Sequence, residues 1–206
     1  MQEKDADTLA RFEQAVLPHL PAAYNLAQWL LRDNHDAEDV VQQSSLRAWK
    51  AFGSFRGEDA RSWFLAIVRN ACFTQLRKRR GGPPITREPL EDNDVAAPDH
   101  ATDPHAALLR RLDAEALAAA IEQLPEIFRE CFVLREMEGL TYSQIAEVTD
   151  VPVGTVMSRL ARARKRLCET LEANEHDEAD DGDPPPAAAV AVHRAPAPSS
   201  WNGEDR

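Results

Sequence analysis

The chain has 206 residues, with 24 Lys and Arg against 35 Asp and Glu, for a formal net charge of −11. Its length suits one or two small domains, and 43% hydrophobic with 29% charged residues is the balance of a soluble globular chain. No apolar run approaches the roughly 20 residues that cross a bilayer, and the first ten residues are polar and acidic, which excludes a secretory leader. Only 8 Gly against 14 Pro argues against a barrel or sandwich built on Gly turns. Cys72, Cys131 and Cys168 are too widely spaced for a disulfide framework or a metal clip. The histidines add no ligand spacing to them. The expectation is a reduced, cytoplasmic protein without membrane insertion, metal or cofactor.

The acidic total is unevenly spread. Residues 172–206 hold nine acids against two bases, and residues 81–107 hold six against one. The rest is close to neutral and ends twice in a basic cluster, first Arg77-Lys78-Arg79-Arg80, then Arg159, Arg162, Arg164, Lys165 and Arg166. Local bases inside an acidic total fit a nucleic-acid binder with acidic connectors. Both acidic stretches are Pro-rich and lack a helical or strand period, so neither buries enough apolar surface to offset chain ordering. They read as a flexible linker over 81–106 and a disordered acidic Pro/Ala-rich tail over 173–206.

The first block, residues 1–80, is helical in pattern. Phe12, Val16 and Leu20 give one apolar face, and Leu26 and Leu30 continue it after a break at Pro18 and Pro21. Asp36 is placed to cap the next helix, which carries Val40, Val41, Ala48, Trp49 and Phe52 and stops at Gly53. Trp49, Phe52 and Phe64 read as core. A last helix from about Asp59 runs through Trp63, Phe64, Ile67, Val68, Ala71 and Cys72 into the basic cluster. Between these two helices lies Phe55-Arg56-Gly57-Glu58, an aromatic beside a base in a loop. Such a pair can hold an unstacked nucleotide, at about 1–3 kcal/mol per base.

The second block, residues 107–172, opens with a helix from about Leu108 to Gln123, with Leu108, Leu112, Leu117 and Ile121 inward. The next helix starts near Pro125, carries Phe128, Cys131, Phe132 and Met137 on one side and ends at Gly139. Thr141-Tyr142-Ser143-Gln144 then matches a capping box. Its short helix buries Ile145, Ala146 and Val148, a turn follows at 150–153, and a further helix begins near Gly154-Thr155. That helix has the stripe Val156, Leu160, Ala163 and Leu167, and its other side presents Thr155, Ser158, Arg159, Arg162, Lys165 and Arg166. The unit is a helix-turn-helix, whose second helix enters the major groove. Arg reads guanine, while Ser and Thr bond bases or phosphate. Cys72 and Cys131 fall on apolar stripes and belong to the core, whereas Cys168 is expected to be more exposed.

Asp36-Ala37-Glu38-Asp39-Val40-Val41-Gln42-Gln43, Leu46-Arg47-Ala48-Trp49, Phe55-Arg56-Gly57, Trp63-Phe64 and Arg69-Asn70 together resemble sigma region 2. Gly139 to Ala146, Val153 to Leu160 and Arg162-Ala163-Arg164 resemble sigma region 4. The chain resembles an extracytoplasmic-function (ECF) sigma factor of the sigma-70 family. The resemblance implies an all-α protein of two small helical domains that binds core RNA polymerase and directs it to promoters. The resemblance requires no catalytic group of this chain, since the chemistry belongs to the polymerase. Glu38, Asp39, Gln42 and Arg47 are then candidates for docking on the β′ clamp helices. Phe55 and Arg56 would take a flipped base of the −10 element, with Asn70, Arg77 and Arg80 along the same strand. Arg135, Thr155, Ser158, Arg159, Arg162 and Arg166 would read the −35 element, while region 4 also meets the β flap. The linker would thread the polymerase channel. An anti-sigma factor is a further candidate partner. The rival reading, a stand-alone helix-turn-helix regulator, explains residues 139–167 and leaves the 36–70 block without a role.

Overall fold

A computed structural model describes residues 2–57, 59–81 and 114–180, with side chains described from Asp7 to Ala173. The linker beyond Gly81, Leu108, Leu112, Glu58 and the tail from 181 lie outside the described residues. Every regular element described is helical.

Helix α1 (Gln2–Val16) leads through a short 3₁₀ turn, Leu17–His19, into α2 (Leu20–Leu31). The turn contains Pro18, and Pro21 stands in the first turn of α2, where its missing N–H costs nothing. Arg32 then takes a left-handed conformation at φ 56° and closes α2. It delivers the chain to Asp33, whose Oδ1 accepts from the Asp36 backbone N–H at 2.9 Å and caps α3 (Asn34–Phe52). The cap is therefore Asp33 and not Asp36. Asp36 lies one turn in, where the helix dipole favours an acid. Gly53 ends α3 in a right-handed conformation, so its freedom at positive φ is not used. Helix α4 (Ala60–Arg80) is capped by Asp59 and stops at Gly81, which does need positive φ, at 61°.

The second block holds α5 (Ala114–Gln123), α6 (Glu126–Phe132) continued by a π-helical turn (Val133–Met137), α7 (Tyr142–Thr149) and α8 (Val153–Asp180). Gly139 sits at φ 67° between α6 and α7, and no heavy atom would lie within 4 Å of an added Cβ. Its role is conformational, since L-residues pay to enter this region. The capping box at α7 is complete in both directions. Helix α8 runs past residue 172 to Asp180.

Helices α2, α3 and α4 pack on one another, α1 adds to them, and α6 and α5 pack against α8. The two blocks are also packed together, through α7 on α4 and α6 on α2. One apolar cluster runs without a break from Val16, Leu26 and Leu30 through Phe64, Leu65 and Val68 to Leu134, Ile145, Val156 and Leu160. A second encloses Ile121, Phe128, Phe132, Ala163 and Leu167 between α5, α6 and α8. The stripe read on α8 is thus split between the two.

Three further expectations, on burial, are revised. Trp49 is 37% exposed, its ring edge-on to Phe12 at 5.2 Å, so it rims the core. Met137 is exposed, because the π-helical turn shifts it off the Phe128 side. Cys168 is buried, and the packing of α8 continues past it to Leu171.

Removing the Thr141 hydroxyl should cost about 1 kcal/mol, and Leu160→Ala about 2–5 kcal/mol through the cavity it leaves. Urea denaturation of both variants checks this ordering.

Candidate nucleic-acid interface

The outer side of α3 is one continuous exposed face. Glu38, Asp39, Gln42 and Arg47 all lie on it, opposite buried Ala37, Val40, Val41, Ser44, Ala48 and Phe52. Leu46 stands among them at 58% exposure. Sequence reasoning passed over Leu46 as a site residue, although its offset from the buried stripe is a readable signal.

The loop after α3 is held by stacked aromatics. The Phe55 ring lies 4.7 Å from Trp63 and is stacked 6.1 Å from Phe52. A Cβ at position 57 would come within 3.0 Å of the Phe55 ring, so Gly57 is what lets the ring lie there. Arg56 donates from Nη1 to the carbonyls of Gly53 and Phe55, at 2.8 and 3.1 Å, while its residue stays exposed. An open cleft of about 850 Å³ separates this loop from α1, with Arg11 and Gln14 on its far wall. Along α4, Trp63, Asn70 and Arg77 recur at seven-residue steps and share one stripe about 21 Å long. Asn70 is exposed, and Arg77 is braced by the Phe73 carbonyl and the Thr74 hydroxyl. Arg80, at the end of the helix, is paired with Glu126 of α6.

The helix-turn-helix is α7 and α8. Thr155 and Arg162 are half-buried on the side away from the apolar stripe, and Ser158 donates to the Thr155 carbonyl at 3.0 Å. Arg135 donates to the Leu140 carbonyl at 2.8 Å with its guanidinium 4.9 Å above the Tyr142 ring, which fixes it at the entrance to the unit. Arg166 is exposed, with its guanidinium 5.0 Å over Phe128. Arg159 departs from the expected pattern. It is 7% exposed and donates to Glu130 at 3.2 Å, so it faces the protein interior.

Glu130 was not legible as a site residue. Its carboxylate is fully buried and accepts from Arg69 Nε at 2.7 Å, Arg69 Nη2 at 3.0 Å and Arg159 Nη1. Burial pushes this carboxyl above its ordinary range, against the pull of Arg69 and Arg159. Other polar contacts cross the same seam. Glu138 accepts from Asn25 at 2.6 Å and Arg61 at 3.1 Å. Arg129 donates to the Trp29 carbonyl at 2.9 Å, and burial lowers its pKa to about 10. Gln144 closes the capping box with its carbonyl and donates from Nε2 to Asp59, the cap of α4, at 2.8 Å. Burial works to raise the Asp59 pKa, but bonds from Ser62 and Gln144 outweigh it and hold the carboxyl below its ordinary value.

Burial pushes the thiols of Cys72 and Cys131 up to about 12, so both are inert core groups. Among the described residues no group of His, Cys, Asp and Glu is arranged to hold a metal ion, and no helix is long and apolar enough to cross a membrane.

Comparison with known proteins defines the class. The Sigma-70 region 2 model matches residues 15–81, and the Sigma-70, region 4 model matches residues 114–167. The chain is 34% identical over 184 residues to the RNA polymerase sigma-H factor of Pseudomonas aeruginosa, covering 83% of this chain and 95% of that one. It is 38% identical over 138 residues to the ECF RNA polymerase sigma-E factor of Haemophilus influenzae, covering 65% and 73%. Among solved structures it is similar to the sigma factor RpoE of Bartonella quintana in complex with the anti-sigma factor NepR. The TM-score is 0.59 at 29% identity, over 80% of this chain and 98% of that one. The chain belongs to the sigma-70 family, among its ECF members. It is an RNA polymerase sigma factor, from a family of non-catalytic initiation factors, that binds core polymerase and promoter DNA and directs transcription initiation.

The lowered Asp59 pKa carries a sign. Its contribution to stability is complete above the unfolded carboxylate value of about 4 and is lost as pH falls through the lower folded value. Asp59→Asn should therefore be less stable at neutral pH and show a shallower acid limb, read from urea midpoints against pH.

Proposed function

We propose that this sigma factor divides its work among the three surfaces described. The α3 face docks on the β′ clamp helices through Glu38, Asp39, Gln42 and Arg47, with Leu46 as its apolar centre. Exposed carboxylates around one uncovered leucine suit a polar rim about a small apolar contact. Region 4 also meets the β flap. The loop at Phe55 and Arg56 receives a flipped base of the −10 element, and Asn70, Arg77 and Arg80 line the strand beyond it. Flipping a base costs a few kcal/mol of unstacking, which an aromatic and a guanidinium can offset. Thr155, Ser158, Arg162 and Arg166, with Arg135 at the entrance, read or position the −35 element. Arg159 joins them once it leaves Glu130.

The observation that carries this reading is the α4 stripe, in which Trp63 against the Phe55 loop, the exposed Asn70 amide and the braced Arg77 follow one another along a single helix. A stand-alone helix-turn-helix regulator has no use for it. The chemistry of RNA synthesis belongs to the polymerase. The Bartonella relative is held by an anti-sigma factor, which supports an anti-sigma factor as a partner here. The acidic linker is assigned to the polymerase channel, and the place of action is the cytoplasm.

Permanganate footprinting of the holoenzyme tests the division. Wild type should expose reactive thymines across the −10 region. Asn70→Ala and Phe55→Ala should lose that signal while −35 protection remains. Arg162→Ala should weaken −35 protection by about 1–3 kcal/mol, the worth of a specific base contact. Leu46→Glu should weaken core binding and leave the isolated chain folded. Footprints unchanged in all four variants would overturn the assignment.

A further inference from the structure

We infer that the chain carries a second nucleotide site, on the α1 side of the Phe55 loop, which takes the base and phosphate next to the flipped base of the promoter strand. The inference rests on the reading of Phe55 and Arg56 as a −10 contact and adds α1 to it, a helix that this reading leaves without a role.

The loop is a partition. Phe55, Arg56 and Gly57 border two clefts, one on each side. The first, of about 700 Å³, opens toward Ser62 and Trp63 at the start of α4 and leads onto the Asn70 stripe. The second, of about 850 Å³, opens toward α1. Both volumes fall in the roughly 300–1,000 Å³ range of small-molecule sites, with room for a nucleotide. Gly57 keeps the partition thin, since a Cβ there would meet the Phe55 ring at 3.0 Å. A strand that crosses the loop from the α4 stripe delivers its next nucleotide to the α1 side.

The two clefts differ in charge. The α4 cleft is bordered by two carboxylates, Asp59 and Glu147. Among the described residues that line the α1 cleft there is no carboxylate, and there are two arginines, Arg11 and Arg56. Thr8, Arg11 and Ala15 recur at helical spacing and turn one stripe of α1 to the loop, with Gln14 beside it. Arg11 and Gln14 are exposed and can reach a ligand, while small Ala15 leaves the floor to Phe55 and Phe52. The far wall is fixed, because Phe12 of α1 packs edge-on to Phe52 at 5.3 Å. Arg56 is oriented in advance by its two Nη1 bonds to the Gly53 and Phe55 carbonyls, and its Nε and Nη2 remain to donate. An aromatic floor suits the face of a base, a guanidinium suits its phosphate, and the Gln14 amide offers a donor and an acceptor to a base edge.

Holoenzyme binding to the promoter upstream of the gene for this chain tests this, with single abasic positions scanned along the non-template strand of a pre-opened duplex. Wild type should lose about tenfold in affinity at each of two neighbouring positions. The double variant Arg11→Ala, Gln14→Ala should erase the loss at one of them and keep it at the other. Arg11→Ala alone should lower the slope of log K against log salt by about 0.7, the worth of one phosphate on a single strand, and Arg11→Lys should restore it. Both side chains are exposed, so the variants keep the fold. A double-variant profile identical with wild type, or an unchanged salt slope in Arg11→Ala, overturns the second site. A wild-type profile with one sensitive position also overturns it and leaves the loop reading standing, whereas a profile with none overturns the loop reading as well. A dye-labelled deoxyadenosine triphosphate titrated into the full chain separates the other source of a nucleotide. Arg11-dependent binding of that probe, with the strand profile unmoved by the double variant, would overturn the promoter strand as the occupant.

Discussion

Glu130 is a carboxylate with no access to water, held from one side by Arg69 and from the other by Arg159. An isolated buried charge of this kind costs several kcal/mol, and removing one partner from a buried ion pair typically costs 3–5 kcal/mol. The two arginines come from different helical blocks, 61 residues before it and 29 after. This carboxylate makes the most deeply buried of the polar contacts that fix the relative placement of the blocks. Two-point bonding by Arg69 fixes orientation as well as distance. With it in place, α7 lies on α4 and α6 on α2, and the apolar cluster closes across the seam.

Exposure then follows from placement. The α3 face points away from the seam and stays open, with Leu46 uncovered. The stripe through Asn70 and Arg77 also remains at the surface, but its flanking arginines are engaged. A sigma factor must present a polymerase-docking face and two separated DNA-binding elements, and this packed arrangement leaves only the first fully presented. The contacts across the seam are charged or amide groups as much as apolar ones. The partly exposed pairs Arg80–Glu126 and Arg61–Glu138 are weak individually, whereas the buried Glu130 pair is costly to break.

Much of this was legible in the chain itself. The helices, the break at Pro18 and Pro21, the start of α4 near Asp59 and the capping box at Thr141 all follow from local chemistry that a period or a cap residue reveals. Exposed site residues on α3 and α4 were legible because they fall off the buried stripe. Arg159 was misplaced for the opposite reason. On α8 it shares the side of Thr155 and Arg162, and nothing local separates it from them. Only a partner 29 residues away, on a helix that had to be packed first, turns it inward. Glu130 was invisible on the same ground, because a charged residue among Phe128, Cys131 and Phe132 reads as the polar side of an amphipathic helix. Asp36 lost the cap to Asp33 through the left-handed turn at Arg32, which no period reports. Cys168 was expected outside because the four-residue stripe ends at Leu167, whereas the packed length of α8 continues to Leu171.

Run-off transcription by purified core polymerase, on DNA upstream of the gene for this chain, is the most direct test of a sigma factor that works through both blocks. Defined start sites should appear only when the chain is added, and should vanish with either Asn70→Ala or Arg162→Ala. Start sites that survive the loss of one of these side chains would contradict a role for that block in promoter recognition. The absence of any chain-dependent transcript, with no binding to core, would contradict the account as a whole.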